Sequence, residues 1–347
     1  MRKFLSLCLT VAAIIFPTSQ AFAWDYEGHR AVNQLALASL PADFPAFVRT
    51  LEARERIAFL AGEPDRWRNI SDLPLRHVNS PDHFIDLEEL DDAGIALSQL
   101  NEFRYSFTVQ LAAGRASHPD RFPAIDPEKN KDHTRELIGF LPWSITECYA
   151  KLKSEFSYLK AFEELGTPEE IANAQANIIY VMGVMGHYVG DGAQPLHTTK
   201  HFNGWTGENP HGYTTERTFH SWIDGGFLLK TGGISSTVLI SRLKSAELLL
   251  PPKDTSGRDA MFVSVLNYLT EQHTKVELLY ELEKAGKLAI NGANAEGRAF
   301  LENQLLTAGT ELGSIWLTAW REAPQDVYLR SQLLQRKAAN ATPTPKA

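Results

Sequence analysis

The chain has 347 residues, of which 44% are apolar and 10% aromatic, with 34 basic and 42 acidic residues. This length and apolar content are enough for a large hydrophobic core and exclude a mainly disordered chain. The net charge of −8 and the lack of a basic run argue against binding along duplex nucleic acid, which requires a basic surface.

The first 23 residues have the pattern of a secretory signal peptide. Two basic residues precede an apolar stretch over residues 4–16, and Ala21-Phe22-Ala23 fits a small-x-small cleavage site. The apolar stretch is too short for a convincing transmembrane span, although an uncleaved anchor is the alternative interpretation. We expect cleavage after Ala23, a secreted or periplasmic protein without transmembrane anchoring, and Trp24 as the first residue of the mature chain.

Helical periodicity recurs beyond the signal peptide and predicts one all-α domain over residues 24–337, with its helices around a buried cleft. Apolar residues spaced by threes and fours, from Ile171 to Met185, mark the core face of one helix. Few alternating runs occur, and only residues 78–87 predict a short extended segment. The predicted helices cover residues 29–40, 96–113, 136–162, 168–189, 215–229, 237–250, 259–285 and 296–321.

Two segments lack this helical pattern. Residues 114–130 are rich in proline and charge and predict a surface loop, with His118 and His133 exposed rather than bound to metal. Residues 338–347 predict a disordered tail. Cys148 would be alone after cleavage, so no intrachain disulfide is expected, and its apolar helical surroundings predict a small buried side chain.

Five side chains suited to metal binding lie close together in the strings GHYVGDGAQPLH and HSWID. They are His187, Asp191, His197, His220 and Asp224. Each string contains a histidine and an aspartate four residues apart, and residues at that spacing share one face of a helix. A single pair is more often solvated or capping, but two pairs and a third histidine favour a metal site. Imidazole and carboxylate ligands without thiolate suit catalytic zinc.

The mature N-terminus offers further ligands. A free α-amino group, with a pKa of about 8, can lose its proton to a metal, so the amine and carbonyl of Trp24 could chelate one ion. His29, at the start of a helical stretch, is placed to complete that site. Asp65 and His83 are unremarkable as isolated residues, and their interpretation depends on the whole set.

The order of these candidates, with the strings WDYEGH, HFID, GHYVGDGAQPLH and HSWID, resembles the S1/P1 nuclease family, which shares a superfamily with the zinc-dependent bacterial phospholipases C. The resemblance covers residues 24 to about 320 and implies three Zn²⁺ per chain. One ion would be held by Asp65, His83, His187 and Asp191. A second would take Trp24, His29 and the other oxygen of Asp191. The third would be held by His197, His220 and Asp224.

The same resemblance implies roles around the metals. It places Asp65, Arg68 and Asp191 in catalysis, with Arg68 contacting the scissile phosphate. Phe84 and Asp86 would bind substrate, the first beside the base and the second by a hydrogen bond to it.

The segment after His197 departs from the family pattern. The nucleases usually carry Gly-Gly-Asn here, whose asparagine helps to bind phosphate, and this chain does not. Asn203 and Asn209 are possible replacements, and Asn203 is the predicted substrate-binding residue. His201 and His211 could also reach the cleft, but solvated loop side chains are the preferred interpretation.

The resemblance implies a secreted zinc-dependent nuclease and 3′-nucleotidase that hydrolyses single-stranded RNA and DNA to 5′-phosphate products with metal-activated water. The short Trp24 to His29 interval and the aspartate at the last ligand position favour the nuclease branch. A phospholipase C acting on phospholipid head groups is the alternative, and a zinc-binding protein without catalysis is a third. Three divalent ions would outweigh three aspartates and leave the cleft positive, which suits short single strands.

Overall fold

Residues 24–249 and 256–341, which the computed structural model describes, form helices without a β-strand among them, so the prediction of a single all-α domain is confirmed. The predicted signal peptide lies outside the described residues. The α-helices are α1 (Tyr26–Ser39), α2 (Leu51–Leu60), α3 (Glu63–Arg68), α4 (Leu73–Asn79), α5 (Leu87–Asp92), α6 (Arg104–Ser117), α7 (Leu141–Leu165), α8 (Pro168–Ala193), α9 (Phe219–Ser221), α10 (Phe227–Lys230), α11 (Ser236–Ile240), α12 (Ala260–His273), α13 (Val276–Lys284), α14 (Ala295–Glu322) and α15 (Val327–Ala341).

Helices α1, α7, α8 and α14 pack against one another and form the centre of the molecule. The predicted stripe on α8 faces this core: Ala174, Ile178, Met182 and Met185 are buried. A capping box at Thr167 fixes the start of α8. Residues 182–193, its last three turns, are buried on every side, so the polar side chains of this end lie away from water.

Two glycines allow α1 to approach the buried end of α8. A Cβ on Gly190 would lie 2.9 Å from Nδ1 of His29, and a Cβ on Gly186 would clash with the side chain of Asn33. The side-chain amide of Asn33 occupies this space and donates to the carbonyls of Ile57 and Gly183, at 2.7 and 3.0 Å. Because both glycines lack a side chain, α1 can bring His29 against α8.

Several predicted helices are interrupted. The helix expected over 259–285 is divided into α12 and α13, and the one expected over 237–250 is limited to α11. The helix expected over 215–229 contains a π-helical turn, Trp222–Gly226, between α9 and α10. Such turns interrupt regular helices frequently at functional sites.

Three other segments differ from expectation. Among residues 78–87 only 84–86 are extended, because α4 continues to Asn79 and a 3-10 turn, Ser80–His83, follows it. The predicted loop at 114–130 begins later, since α6 continues to Ser117. Helix α15 continues to Ala341, so the start of the predicted disordered tail is helical, and residues 342–347 lie outside the described residues.

Cys148 is buried as predicted, and burial raises the pKa of its thiol to about 12, which makes it a poor nucleophile. Among the described residues, no helix combines the length and the apolar character needed to span a membrane.

Glu311, on α14, is a carboxyl group that the fold makes hard to ionise. Burial and the nearby Glu271 raise its pKa from 4.5 to about 7. Since its pKa is higher in the folded than in the unfolded chain, stability falls as the pH rises from about 4.5 to about 7. We expect Glu311→Gln to be more stable than wild type by about 1–2 kcal/mol near pH 8 and equal to it near pH 4.

Urea unfolding at the two pH values measures this effect. The matched control is Glu296→Gln, because Glu296 is an exposed residue of the same helix. A stability difference that stays constant between the two pH values would contradict the assignment to Glu311 ionisation.

Candidate metal centre

Three groups of buried histidine and aspartate side chains lie at the inner end of α8, and each could hold a metal ion. Within each group the ligand atoms lie within 4.8 Å of one another. The groups are His29, His187 and Asp191; Asp65, His83 and His187; and His197, His220 and Asp224. All eight side chains that the sequence analysis selected are therefore brought together, including Asp65 and His83, which are far from the others in sequence.

Asp191 lies at the centre of the three groups and is fully buried. Its Oδ2 lies 3.0 Å from Nδ1 of His83 and 3.3 Å from Nε2 of His187. Its Oδ1 lies 3.4 Å from Nε2 of His29 and 3.9 Å from Nε2 of His197. The two oxygens thus face different histidines, which is the arrangement expected of a carboxylate that bridges two ions.

Backbone carbonyls fix the ring orientation of three histidines. Nδ1 of His187 donates to the carbonyl of Ala61 at 2.7 Å, and Nδ1 of His197 donates to that of His83 at 2.6 Å. Nδ1 of His220 donates to the carbonyl of Phe202 at 3.1 Å. A carbonyl can only accept, so each neutral ring presents an unprotonated Nε2 to the cluster, as a metal-binding histidine does.

Several ligand atoms in the cluster are buried without a hydrogen-bond partner. They are both ring nitrogens of His29, Nε2 of His83 and of His197, Oδ1 of Asp191 and Oδ2 of Asp224. Buried polar atoms are almost always paired, because an unpaired one costs about 1–3 kcal/mol. In addition, Oδ2 of Asp224 lies 2.9 Å from Nε2 of His220, and although burial lowers the pKa of this ring, the carboxylate outweighs burial and raises it. Cations between these atoms would satisfy them, so the side chains fit a metal cluster.

Two of the histidines are already in the form that binds metal. Burial lowers the pKa of His83 to about 3 and that of His197 to about 4, so both rings are neutral near pH 7. Burial also acts on His187 and His220, but the carboxylates of Asp191 and Asp224, respectively, outweigh it and raise the pKa of these two rings. Burial opposes ionisation of Asp191, but the nearby His187 outweighs it and holds the pKa of this carboxyl well below its usual range. Neutral imidazole and ionised carboxylate are the ligand forms that bind zinc.

Trp24 lies beside the centre. Its side chain is fully buried, and its Nε1 donates to the carbonyl of Gly190, the residue before Asp191, at 2.9 Å. The next residue, Asp25, donates its backbone N–H to the carbonyl of Asp224 at 3.1 Å. The indole ring and the following peptide are thus fixed between two of the ligand-bearing segments.

The candidate metal centre opens onto a cleft of about 470 Å³, which we call the Arg68 cleft. His197 and His220 line it from the metal groups, and Arg68 lines it beside them. Nε of Arg68 donates to Oδ1 of Asp65 at 2.7 Å, while its Nη2 is buried without a hydrogen-bond partner. The guanidinium is therefore held against a candidate ligand and keeps a donor for an anion in the cleft.

The three predicted substrate-binding residues, Phe84, Asp86 and Asn203, all line the Arg68 cleft. Residues 84–86 are held in place because Ile85 donates its N–H to the carbonyl of His197 at 2.9 Å. Burial and the nearby Glu89 raise the pKa of Asp86 well above its usual value. Oδ1 of Asn203 accepts from the N–H of His220 at 3.1 Å, which leaves its amide NH₂ as a donor.

Other residues of the segment after His197 have structural roles. The expectation that His201 is solvated is wrong: its ring is buried and stacks on Trp205 with 3.9 Å between centroids. His211 is exposed, as expected. Both groups of the Asn209 side chain bond the backbone of Tyr213, so Asn209 closes a turn and does not line the Arg68 cleft.

Two features of the site were missed by sequence reasoning. Nε2 of Gln194 donates to Oδ1 of Asp224 at 2.7 Å and orients that carboxylate. Its place in the string GDGAQPLH, between two candidate ligands, was the available signal. The segment 129–137, predicted as part of a surface loop and the helix after it, also lines the Arg68 cleft, and no local pattern indicates that contact.

A second cavity, of about 610 Å³, lies next to the Arg68 cleft, since Leu137 lines both. Its walls include Trp67, Tyr105, Phe140 and Tyr188, and none of the candidate metal ligands. The candidate ligands are therefore not concentrated in this second cavity.

Comparison of the chain with protein-family models, with curated proteins and with solved structures gave no match.

Proposed function

We propose that this protein is a secreted zinc-dependent phosphodiesterase, a nuclease and 3′-nucleotidase that hydrolyses single-stranded RNA and DNA to 5′-phosphate products. The observation that carries the proposal is the convergence of three His/Asp groups on Asp191, beside a cleft that contains Arg68. The residues fit three Zn²⁺ ions because their buried ligand atoms lack partners and contain nitrogen and oxygen only.

The grouping of the side chains suggests how the ions are held. Asp65, His83 and His187, with Oδ2 of Asp191, would hold one ion. His29, with Oδ1 of Asp191, would hold a second together with the amine and carbonyl of Trp24, once cleavage after Ala23 has freed that amine. His197, His220 and Asp224 would hold the third.

Bound zinc supplies Lewis acidity, which polarises a phosphate oxygen and favours ionisation of the attacking water. The chain supplies the positioning. Arg68, fixed through Nε by Asp65, would bind an oxygen of the scissile phosphate with its free Nη2. Asn203 would donate its amide NH₂ to the same phosphate. Phe84 offers a ring for base stacking, and Asp86, whose pKa is raised by burial and by Glu89, would hydrogen-bond the base.

The loop from Phe202 to Trp205 supplies little of the apolar rim that a phospholipase C would require. Phe202 is about half exposed, at 49%. Trp205, however, stacks on His201 and donates to the carbonyl of Glu208 at 2.8 Å, so it belongs to the loop's own packing. One exposed ring is a small membrane-binding surface.

The test uses mature protein that begins at Trp24 and is purified without chelator. Elemental analysis is expected to give close to three zinc ions per chain, and the same sample should cleave single-stranded DNA and leave phosphatidylcholine intact. Treatment with a chelator should abolish cleavage and lower the melting temperature by more than about 10 °C, because unpaired ligands would remain buried.

Each alternative has its own outcome in this experiment. Zinc with cleavage of phosphatidylcholine alone would mean a phospholipase C. Zinc without cleavage of either substrate would mean a metal-binding protein without catalysis. A sample reconstituted with zinc that holds less than about one ion per chain would contradict the metal centre itself.

A further inference from the structure

The Arg68 cleft contains positive charges that belong to none of the metal groups. Arg76, Lys129 and Arg135 line it in addition to Arg68. Three acidic residues, Asp86, Glu89 and Asp132, also line it, so the four cations exceed the acidic groups by one. In a chain that is acidic as a whole, this excess of positive charge suits an anionic ligand that extends beyond the candidate metal centre.

These three cations differ in how they are paired. Nη2 of Arg76 lies 2.8 Å from Oδ2 of Asp132, and Nζ of Lys129 lies 3.3 Å from a carboxylate oxygen of Asp126. Arg135 has no carboxylate within ion-pair distance among the described residues. Its Nε donates to the backbone carbonyl of Lys129 at 2.9 Å, which fixes the guanidinium and leaves both terminal nitrogens as donors.

The segment that carries Arg135 is held in one conformation. The buried Asn130 accepts the N–H of Arg135 at 3.0 Å and donates to Oε1 of Glu136 at 2.6 Å. His77 donates from Nδ1 to the carbonyl of Asp132, also buried, at 2.8 Å. Because these hydrogen bonds already order the segment, ligand binding costs little further conformational entropy, which favours affinity.

We propose that Arg135 forms a second anion site in the Arg68 cleft, which binds a phosphate next to the scissile one in a polynucleotide. The inference rests on the proposed nuclease function and deepens it. A guanidinium with two free nitrogens can bind phosphate in a bidentate way. A polynucleotide places a phosphate at every nucleotide, whereas a mononucleotide or a phosphocholine head group offers only one. Arg135 would thus make the enzyme prefer oligomers.

The test compares Arg135→Ala and Arg135→Lys with the matched control Lys131→Ala. Lys131 is an exposed cation of the same segment, pairs with Glu128 at 3.2 Å and does not line the cleft. The zinc-loaded proteins are assayed on a deoxypentanucleotide and on a dinucleoside monophosphate, which has a single phosphate. The readouts are kcat/KM for each substrate and its dependence on salt concentration.

The ratio of kcat/KM for the pentanucleotide to that for the dinucleoside monophosphate is expected to fall roughly five- to ten-fold in Arg135→Ala. The change should be a higher KM for the pentanucleotide rather than a lower kcat, and Arg135→Lys should recover part of the lost ratio. The slope of log kcat/KM against log salt for the pentanucleotide should become shallower by about 0.7, the contribution of one phosphate contact on a single strand. Lys131→Ala should keep the wild-type ratio and slope.

An unchanged substrate ratio in Arg135→Ala would overturn the second anion site, whether kcat/KM stays at the wild-type value for both substrates or falls equally for both, the latter indicating a structural role. Either result leaves the nuclease function in place, because wild type still cleaves both substrates. If zinc-loaded wild type cleaves neither substrate, the proposed function fails first and the anion site fails with it.

Discussion

Replacement of Asp191 by asparagine is expected to abolish turnover, with kcat/KM lower by at least about a thousand-fold. Asp191 is fully buried and turns one oxygen toward His83 and His187 and the other toward His29. An amide is neutral and has one oxygen, so it cannot bridge two cations. The variant should therefore lose metal as well as activity, and its zinc content should fall from about three ions to about one.

Asp224→Asn is the comparison that isolates the bridging role. Asp224 belongs to a single group, with His197 and His220, so this variant should lose about one ion rather than two. Asp82→Asn controls for the loss of a buried carboxylate, since Asp82 is buried and paired with Arg104 outside the three groups. It should keep its full metal content at some cost in stability.

Metal analysis and assays of single-stranded DNA cleavage on the same samples test whether Asp191 bridges two metal ions. Full activity in Asp191→Asn would exclude a cluster bridged by this residue. Loss of a single ion in both aspartate variants would mean three independent sites rather than one centre.

The sequence predicts the part of the centre that depends on local geometry. In α8 the spacing of four places His187 and Asp191 on one face, and the apolar stripe of Ile178 and Met182 orients the helix against the core. These relations require only the helical repeat, so they can be found without knowledge of any other segment.

Asp65 and His83 show the limit of such reasoning. Each reaches the centre through packing between distant segments: α3 contacts α8, and Ile85 donates its N–H to the carbonyl of His197. The periodicity of the sequence does not indicate these contacts. The two residues were predicted only because the order of candidate ligands resembles that of the S1/P1 nuclease family. The contacts of Arg135 were missed for the same reason, since neither helix propensity nor composition tells a turn at a cleft from a turn in solvent.

The π-helical turn is a third kind of case. The string HSWID predicts a regular helix, and its spacing of four does bring Nε2 of His220 to Oδ2 of Asp224. The turn Trp222–Gly226 departs, however, from the α-helical hydrogen-bond pattern. Within this turn, the carbonyl of Asp224 accepts a hydrogen bond from the N–H of Asp25, a residue distant in sequence. Tertiary contact decides the local geometry here, and local sequence does not encode it.

In protein prepared to begin at Trp24, the N-terminus that we propose for the mature chain, addition of one glycine before Trp24 is expected to remove about one zinc ion and to lower kcat/KM roughly a hundred-fold. The extra residue converts the Trp24 amine into an amide, whose nitrogen is not basic and does not bind zinc. The chain cannot compensate by sliding, because the indole is buried and bonded to Gly190 and because Asp25 is bonded to Asp224. The new amine would thus lie one residue away from His29 and Asp191.

Acetylation of the native amine gives a matched test without an added residue, and the same loss of metal and rate is expected. An extra glycine after Ala347 controls for lengthening of the chain and should change neither. In the presence of chelator, the melting temperature should be the same for the N-terminally extended, the acetylated and the C-terminally extended proteins, because the first two lose a metal ligand and no packing contact. Unchanged zinc content and rate in the N-terminally extended protein would refute the amine as a ligand. The proposed second ion would then be left with His29 and Asp191 as its ligands.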